Sequence, residues 1–264
     1  MSKLFAIFGD PVSHSRSPLM HNYLFKSLHV NACYTRVHLQ DGSKLRETFL
    51  SLKLNGANIT VPHKEEAFKA CDEVRGFANS IGVVNTILLE DGKLIGYNTD
   101  ADGFMEAIKP FGTCKNILII GAGGTAKALA NRFLQESCEI TVLNRSENRL
   151  EYFKELQIEC ETWESFTCKE YDLVINTTSA GLKDENYPTP FEMLEVILEN
   201  SKHAVDAIYG KETPFLKLAK QKELTCKDGG DMLLYQGVLA NHLFCEKKFD
   251  LPTTAEIMKQ SFLL

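Results

Sequence analysis

NILIIGAGGTAKALANRFLQESCEITVLNRS, residues 116–146, is the stretch that decides the fold of this chain. It opens with an apolar run at residues 117–120, which suits a strand buried on both faces. A glycine-rich turn, a helical pattern and a second apolar strand at residues 140–143 follow. Strand, glycine-rich turn, helix and strand within about 30 residues is the pattern of a dinucleotide-binding βαβ unit.

The turn itself has small residues where a pyrophosphate needs them. Gly121 suits the tight turn, Gly123 lets the backbone approach the phosphates, and Ala126 lets the helix sit close to the strand. Free N–H groups at the helix N-terminus favour the anion. The alternative is a merely structural turn, and the flanking strand and helix favour the cofactor site.

The end of the second strand predicts which cofactor binds. An NAD-binding unit usually carries Asp or Glu there, whereas this chain has Asn144, Arg145 and Ser146, with Arg149 one turn further on. Arginine grips phosphate with paired hydrogen bonds, so the sequence predicts NADP. The alternative is a solvated arginine pair at a helix start, where the helix dipole disfavours cations.

Composition limits the class of protein. The chain has 264 residues, 44% of them hydrophobic, which is enough for one large core or two smaller ones. A net charge of −6 argues against nucleic acid as the main partner. Because we find no signal peptide and no run of ~20 apolar residues, we expect a soluble cytoplasmic protein with no membrane partner. Its eight cysteines are expected to be buried free thiols, and no metal-ligand spacing appears.

The rest of the chain also alternates strands and helices. Before the nucleotide unit, strands are predicted at residues 4–9, 32–38, 57–61, 83–89 and 93–97, with helices at 18–28, 43–54 and 101–109 and a short one after Pro62. Asp91-Gly92 is a hairpin signal. Beyond the unit, strands are predicted at 173–176 and 204–208, and helices at 214–220, 231–246 and after Pro252. This pattern predicts two α/β domains in series with a helical tail.

The segment SHSRSP, residues 13–18, is the first of three polar segments in the first domain. Pro18 suits the first position of a helix and Ser17 its N-cap. Hydroxyl groups of Ser15 and Ser17 beside a helix N-terminus can hold a carboxylate. The alternative is that Ser17 only caps the helix and Ser15 is a loop residue.

The second segment, NITVPHK at residues 58–64, places Asn58 and Thr60 on the same side of a strand. Lys64 falls in the first turn of the next helix, where the dipole disfavours a cation. A role in proton transfer would explain this placement. The alternative is an exposed lysine that pairs with Glu65 or Glu66.

The third segment, YNTDADG at residues 97–103, places two acidic residues before a helix. Asp102 is nearer the helical pattern and suits the N-cap, which leaves Asp100 free to meet Lys64. A lysine–aspartate pair can pass a proton to or from a hydroxyl while staying charge-balanced.

Together these motifs resemble those of the shikimate dehydrogenase family over nearly the whole chain and in the same order. They are SHSRSP, NITVPHKEEA, GVVNT, YNTDADG, GAGGTAKA, NRS, INTTSAG, DAIYGKETPFL and DGGDMLLYQG. The resemblance implies NADPH-dependent reduction of 3-dehydroshikimate to shikimate, in the pathway to chorismate and aromatic amino acids. It also implies a substrate-binding domain of residues 1–101 with 237–264, a Rossmann-type NADP-binding domain of residues 102–236, and an active-site cleft. We expect a monomer or homodimer.

The resemblance further implies a role for each matching residue. Lys64 and Asp100 would be the catalytic pair, with Lys64 supplying the proton to the carbonyl oxygen. The substrate carboxylate would be held by Ser15 and Ser17, with Tyr209 nearby, and the ring hydroxyls by Asn58, Thr60, Asn85 and Gln236. NADP would be held by Gly121, Ala122, Gly123, Gly124, Thr125, Asn144, Arg145, Ser146, Arg149, Thr178, Ala207 and Gly229.

Two alternative functions are weighed against this one. A quinate/shikimate dehydrogenase of the same fold is more relaxed in substrate and often uses NAD, and Arg145 and Arg149 argue against it. A non-catalytic sensor would bind NADP or a polyhydroxy acid. The presence of both Lys64 and Asp100 argues against a sensor.

Overall fold

The computed structural model describes residues 2–264, which divide into two compact units. The first unit holds the chain as far as Gly103 together with Leu234–Leu264, and the second holds Phe104–Leu233. Each unit has its own six-stranded sheet. The predicted α/β class with two α/β domains is therefore confirmed. The divisions at 103 and 234 lie close to the predicted domain boundaries at 101 and 237.

The first unit alternates strands and helices up to its junction with the second. Its strands are β1 (Lys3–Gly9), β2 (Ala32–His38), β3 (Gly56–Ile59), β4 (Glu73–Val74), β5 (Thr86–Glu90) and β6 (Lys93–Tyr97). Its helices are α1 (Ser17–Ser27), α2 (Leu45–Ser51), α3 (Lys64–Ala70), α4 (Phe77–Ile81) and α5 (Asp100–Ile108), the last of which runs into the second unit.

The sheet of the first unit has the strand order β2-β1-β3-β5-β6-β4 and is mixed. β1 pairs in parallel with β2 and β3, whereas β5 pairs antiparallel with β3 and β6. Asp91 and Gly92 join β5 to β6 with φ of 49° and 78°. Both values are positive, as a two-residue hairpin with the native strand twist requires. The predicted hairpin is confirmed.

The second unit contains the predicted nucleotide fold. Its strands are β7 (Asn116–Ile120), β8 (Glu139–Leu143), β9 (Glu159–Glu161), β10 (Tyr171–Asn176), β11 (Ser201–Asp206) and β12 (Thr225–Lys227). Its helices are α6 (Gly124–Gln135), α7 (Glu151–Glu155), α8 (Phe191–Glu199) and α9 (Pro214–Gln221). All strands are parallel in the order β12-β11-β10-β7-β8-β9. The order reverses between β7 and β10, which is the switch point of a Rossmann-type sheet.

The chain then returns to the first unit through α10 (Gly230–Phe244) and α11 (Leu251–Gln260). Alternation along β1 sends Phe5 to one face of the sheet and Phe8 to the other. Phe5 stacks on Phe244 of α10 with ring centroids 4.5 Å apart. Phe8 packs with Phe49 in the core on the opposite face. The C-terminal helices therefore complete one of the two hydrophobic layers of this unit.

The sequence did not predict several short elements. β4, α4, α7, β9 and β12 have only two to five residues each. Elements of this length are too short to display a hydrophobic period, and they form because a neighbouring strand or helix is already in place. The helix predicted over 43–54 is also shorter, since a 3₁₀ turn at Gly42–Lys44 precedes α2.

Two expectations from composition can be compared with the structure. All eight cysteines are free thiols, as predicted, but only Cys114 and Cys245 are buried and Cys33 is exposed. Across residues 2–264, none of the helices has the length and apolar character needed to cross a membrane.

Gly103→Ala is expected to lower stability, because a Cβ on Gly103 in α5 would lie 2.5 Å from the backbone nitrogen of Gln236 in α10. Overpacking of this kind costs about 1–3 kcal/mol, which corresponds to a fall in Tm of roughly 3–10 °C. The measurement is thermal unfolding followed by circular dichroism.

A matched control for this variant is Gly124→Ala at the start of α6, where an added Cβ meets nothing within 4 Å. Alanine in an unobstructed helix is more stable than glycine by about 0.5–1 kcal/mol. If Gly103→Ala raised Tm as the control does, the close approach of α10 to α5 would be wrong.

Candidate functional site

Lys64 and Asp100 are in contact in the first unit. Lys64 is the first residue of α3, as predicted, and Asp100 is the first residue of α5. The Lys64 Nζ donates to Asp100 Oδ2 at 2.6 Å, with side chains 25% and 14% exposed. Within residues 2–264, the alternative pairing of Lys64 with Glu65 or Glu66 is not observed, and Glu66 pairs with Lys69 instead. The two residues that the sequence offered as a proton-transfer pair therefore meet at a partly buried position.

The start of α5 explains why Asp100 is available for this contact. The prediction that Asp102 caps the helix is wrong, because the helix begins at Asp100 and Asp102 is its third residue. The Asn98 Oδ1 accepts from the backbone N–H of Asp100 at 3.0 Å, and the Thr99 carbonyl accepts from Gly103 at 2.9 Å. A carboxylate at the first helical residue is favoured by the dipole. Asp100 thus combines a favourable helix position with a cationic partner.

The serine loop before α1 is fixed by backbone and arginine contacts. α1 begins at Ser17, one residue before the predicted start, and Arg16 rather than Ser17 occupies the N-cap position. The Ser15 Oγ accepts from the backbone N–H of Ser17 at 3.3 Å, and both serines are buried. The guanidinium of Arg36 donates to the Ser15 carbonyl at 2.6 Å and 3.2 Å. Arg36 was not predicted, and it places a positive charge beside the two serines.

Asn58 and Asn85 are joined by a buried threonine. Thr99 donates its backbone N–H to Asn85 Oδ1 at 2.8 Å, and Asn85 Nδ2 donates back to Thr99 Oγ1 at 3.0 Å. The Thr86 hydroxyl donates to Asn85 Oδ1 at 2.9 Å and accepts from Asn58 Nδ2 at 3.0 Å. Thr86 and Thr99 were missed by the sequence analysis. The available signal was the repeated Asn-Thr pair at residues 85–86 and 98–99.

The remaining substrate candidates lie in different places. Thr60 follows β3 directly and is half-buried, and it packs against the position of Gly9. Gln236 lies in α10 within the first unit, with its backbone against Gly103 near the start of α5. Tyr209 lies in the second unit on the segment after β11 and is 36% exposed.

A cavity of about 720 Å³ opens at the carboxyl ends of β7, β8 and β10 in the second unit. Its walls include the glycine-rich turn, the residues after β8 and the segment after β10. Of the predicted cofactor residues it is lined by Gly121, Ala122, Gly123, Asn144, Arg145, Arg149 and Thr178. This is the switch-point crevice where open parallel sheets bind their ligands.

The glycine-rich turn has the backbone that the sequence predicts. Gly121 has φ of 107°, and a Cβ there would lie 2.7 Å from Thr177 Oγ1. α6 begins at Gly124 with Gly123 at its N-cap position, and a Cβ on either glycine would meet nothing within 4 Å. The N-terminus of α6 is thus open to a ligand, and its free N–H groups favour an anion.

Arg145 and Arg149 line the same cavity and are exposed. Within residues 2–264 neither guanidinium has an ion-pair or hydrogen-bond partner among the protein side chains. The Asn144 Nδ2 donates to the Ser146 carbonyl at 2.8 Å and so shapes the segment that carries Arg145. Two unpaired guanidiniums beside a glycine-rich turn have the chemistry to bind a phosphate group.

A buried polar network fixes the segments that follow β10 and β11. Asp206 is fully buried, and its carboxylate accepts from Asn176 at 3.1 Å, Thr213 at 2.6 Å and the backbone of Ile208 at 2.9 Å. The Asn176 Oδ1 in turn accepts from the backbone and hydroxyl of Thr178 at 3.0 Å and 2.8 Å. Burial raises the pKa of Asp206, and its hydrogen bonds partly offset that shift. The sequence analysis did not identify Asn176 or Asp206.

The other predicted cofactor residues lie outside the 720 Å³ cavity. Ala207 and Gly229 contact each other, since a Cβ on Gly229 would lie 2.3 Å from the Ala207 carbonyl oxygen. Gly124 and Thr125 form the first turn of α6, and Ser146 precedes the 3₁₀ turn Glu147–Arg149.

Two family models match the chain. The shikimate dehydrogenase substrate binding domain matches residues 7–87, and shikimate / quinate 5-dehydrogenase matches residues 106–201. A curated relative, the shikimate dehydrogenase (NADP(+)) of Helicobacter hepaticus, is 49% identical over 253 residues, covering 95% of this chain and 94% of the relative.

Solved structures show the same likeness. A shikimate 5-dehydrogenase from Thermus thermophilus, in complex with NADP(H) and shikimate, is 35% identical with a TM-score of 0.85, covering 98% of this chain and 99% of that one. A 5-ketofructose reductase of Gluconobacter sp. is 26% identical with a TM-score of 0.81, covering 98% and 99%. The fold is thus shared by reductases whose names give different substrates.

Proposed function

Since this chain belongs to the shikimate dehydrogenase family, we propose that it catalyses the NADPH-dependent reversible reduction of 3-dehydroshikimate to shikimate. It is an NADP-dependent oxidoreductase of the shikimate pathway. The observation that carries the proposal is the Lys64–Asp100 contact at 2.6 Å, in the same unit as the buried amides of Asn58 and Asn85.

Lys64 handles the proton in this reaction. Its ammonium group carries the proton that the ring carbonyl oxygen takes up during reduction, and takes a proton back during oxidation. The contact with Asp100 holds the Nζ atom in place and balances its charge. When bound, NADPH supplies the hydride for the carbonyl carbon.

The polar groups of the first unit suit a small polyhydroxy acid. Ser15 and Ser17 lie at the N-terminus of α1, where N–H groups and hydroxyls bind a carboxylate. Beyond their protein hydrogen bonds, Asn58 has one oxygen lone pair and Asn85 one amide N–H, and these can bind ring hydroxyls. We assign Thr60, Gln236 and Tyr209 to the same substrate, as the family resemblance implies.

The cofactor residues fit NADP. The turn at 121–125 and the N-terminus of α6 suit the pyrophosphate, and Arg145 and Arg149, with Asn144 and Ser146, suit the 2′-phosphate. Thr178, Ala207 and Gly229 are assigned to the nicotinamide side. The Asp206–Asn176 network would hold Thr178 and Ala207 in place for this role.

The cellular setting is also a proposal. Free thiols on all eight cysteines support a reducing cytoplasm. We propose a monomer or homodimer, because one chain carries both the substrate and the cofactor residues.

The function is tested by initial rates of shikimate oxidation at matched NADP and NAD concentrations, with quinate run alongside. Turnover of shikimate with NADP, and little with quinate or NAD, is expected. Comparable rates with quinate or NAD would assign the chain to a relaxed quinate/shikimate dehydrogenase. Cofactor binding without any turnover would instead support a sensor.

Lys64→Ala is expected to lower kcat by about 10²–10⁴-fold, because general acid–base catalysis typically contributes that factor. The KM for shikimate should change much less. The control is Lys69→Ala, which removes an exposed lysine from the same helix, and it should keep normal rates. Near-normal turnover of Lys64→Ala would remove Lys64 from the mechanism.

Replacing Arg145 and Arg149 together by alanine is expected to weaken NADP binding by about 100-fold, because two charge-assisted hydrogen bonds are lost. NAD binding should change little. Trp163 is the sole tryptophan and lines the same cavity, so its fluorescence can report binding directly. Lys154→Ala, which removes an exposed lysine of α7 paired with Glu147, is the control for loss of a positive charge outside the cavity.

Equal losses for NADP and NAD in the double variant would mean that the two arginines support the fold and not the 2′-phosphate. A Trp163→Phe protein, titrated by the absorbance of the reduced cofactor, checks that the fluorescence change comes from the cavity.

A further inference from the structure

Tyr34 lies in β2, outside every motif that the sequence analysis singled out, yet it contacts the substrate residues of the first unit. Its side chain is 2% exposed, and its hydroxyl donates to Asn58 Oδ1 at 2.7 Å. Burial raises the pKa of Tyr34 well above its usual value, and a hydrogen bond with the Ser17 side chain partly offsets the shift. The phenol therefore stays protonated and remains a donor at all physiological pH values.

The hydrogen bonds beyond Asn58 have a fixed direction. A backbone N–H can only donate, so the bond from Thr99 N to Asn85 makes the facing amide atom the oxygen. The Thr86 hydroxyl donates to that oxygen, and its own oxygen therefore accepts from Asn58 Nδ2. Asn58 must then turn Oδ1 toward Tyr34. This series of hydrogen bonds runs from the donor at Tyr34 to the anchored amide of Asn85, and it fixes which way the Asn58 amide is turned.

Tyr34 is itself held at its backbone and at its ring. Asn22 in α1 bonds the Tyr34 backbone N–H and carbonyl, both at 2.8 Å. His21 stacks on the phenol ring with centroids 4.3 Å apart and planes 5° apart. Burial lowers the pKa of His21 to about 3, so this stack is between neutral rings. The same helix α1 begins with Ser17, so the phenol links the serine loop to β3.

We propose that Tyr34 is a positioning residue that holds the Asn58 amide through its oxygen, so that the second lone pair of Oδ1 faces the substrate in a defined direction. The inference rests on the proposed function, because it assigns Asn58 to a ring hydroxyl of shikimate. Without the phenol donor, the Asn58 oxygen loses its buried partner and the amide is held only through its nitrogen, by Thr86 and the Asn85 carbonyl. One substrate hydroxyl then loses its hydrogen bond, whereas proton transfer at Lys64 is unaffected.

The test is Tyr34→Phe in the full-length chain, which keeps the ring stack and removes only the hydroxyl. The KM for shikimate is expected to rise about 10-fold, the factor that corresponds to one hydrogen bond, with kcat changed less than about threefold and the KM for NADP unchanged. Tyr171→Phe removes a buried tyrosine hydroxyl in the second unit and should leave all three constants unchanged.

A set of shikimate analogues, each lacking one ring hydroxyl, separates positioning from a general loss of structure. In the wild type each missing hydroxyl lowers affinity, and in Tyr34→Phe the penalty for one analogue is expected to disappear while the others remain. Unchanged penalties for every analogue, or an equal fall in all of them, would overturn the proposal.

Shikimate binding measured by calorimetry without cofactor keeps this test separate from the proposed function. Binding without turnover would contradict the function, and the analogue penalties would still decide the role of Tyr34. No binding of shikimate by the wild type would overturn both.

If Tyr34→Phe does not fold, a second pair of variants tests the same series of hydrogen bonds. Thr86→Val removes the bond that Thr86 makes to the nitrogen of the Asn58 amide, and Thr86→Ser retains the hydroxyl. In Thr86→Val, the affinity penalty for that same analogue should disappear, and in Thr86→Ser it should remain. Equal behaviour of the two variants would contradict the proposal.

Discussion

Buried polar side chains need partners inside the protein, and this requirement fixes the functional loops of both units. In the first unit, Asn58 and Asn85 are joined through Thr86 and anchored on the backbone of Thr99. In the second unit, the buried carboxylate of Asp206 binds Asn176 and so holds the segment that contains Thr178. Each network lies where strands end. The backbone beyond a strand has no ladder of hydrogen bonds, so side chains hold it in place.

The positive charges at the two candidate sites differ in whether they have a partner. Lys64 at a helix start is unfavourable alone, and Asp100 at another helix start compensates it at 2.6 Å. Arg145 and Arg149, in contrast, have no partner in the described part of the chain and line a cavity beside the glycine-rich turn. A paired cation suits proton transfer, and unpaired cations suit the binding of a phosphate from outside.

Shared fold does not decide substrate in this family of structures. The Thermus shikimate 5-dehydrogenase and the Gluconobacter 5-ketofructose reductase both superpose on this chain with TM-scores above 0.8. Substrate choice therefore depends on the order of donors and acceptors in the site. In this chain, Tyr34 and Thr86 hydrogen-bond the amide of Asn58, a residue that we propose for substrate binding.

The sequence alone determined the βαβ unit at 116–146, the hairpin at Asp91-Gly92 and the placement of Lys64 at a helix start, because each depends on neighbours within a few residues. Only the tertiary structure decided the contact of Lys64 with Asp100 across 36 positions, the bond from Tyr34 to Asn58 and the joining of Asp206 to Asn176. It also corrected the N-caps at Ser17 and Asp102 and added the short edge strands. Residues that are distant in the sequence and meet in the fold produce no local hydrophobic period, so only tertiary packing brings them together.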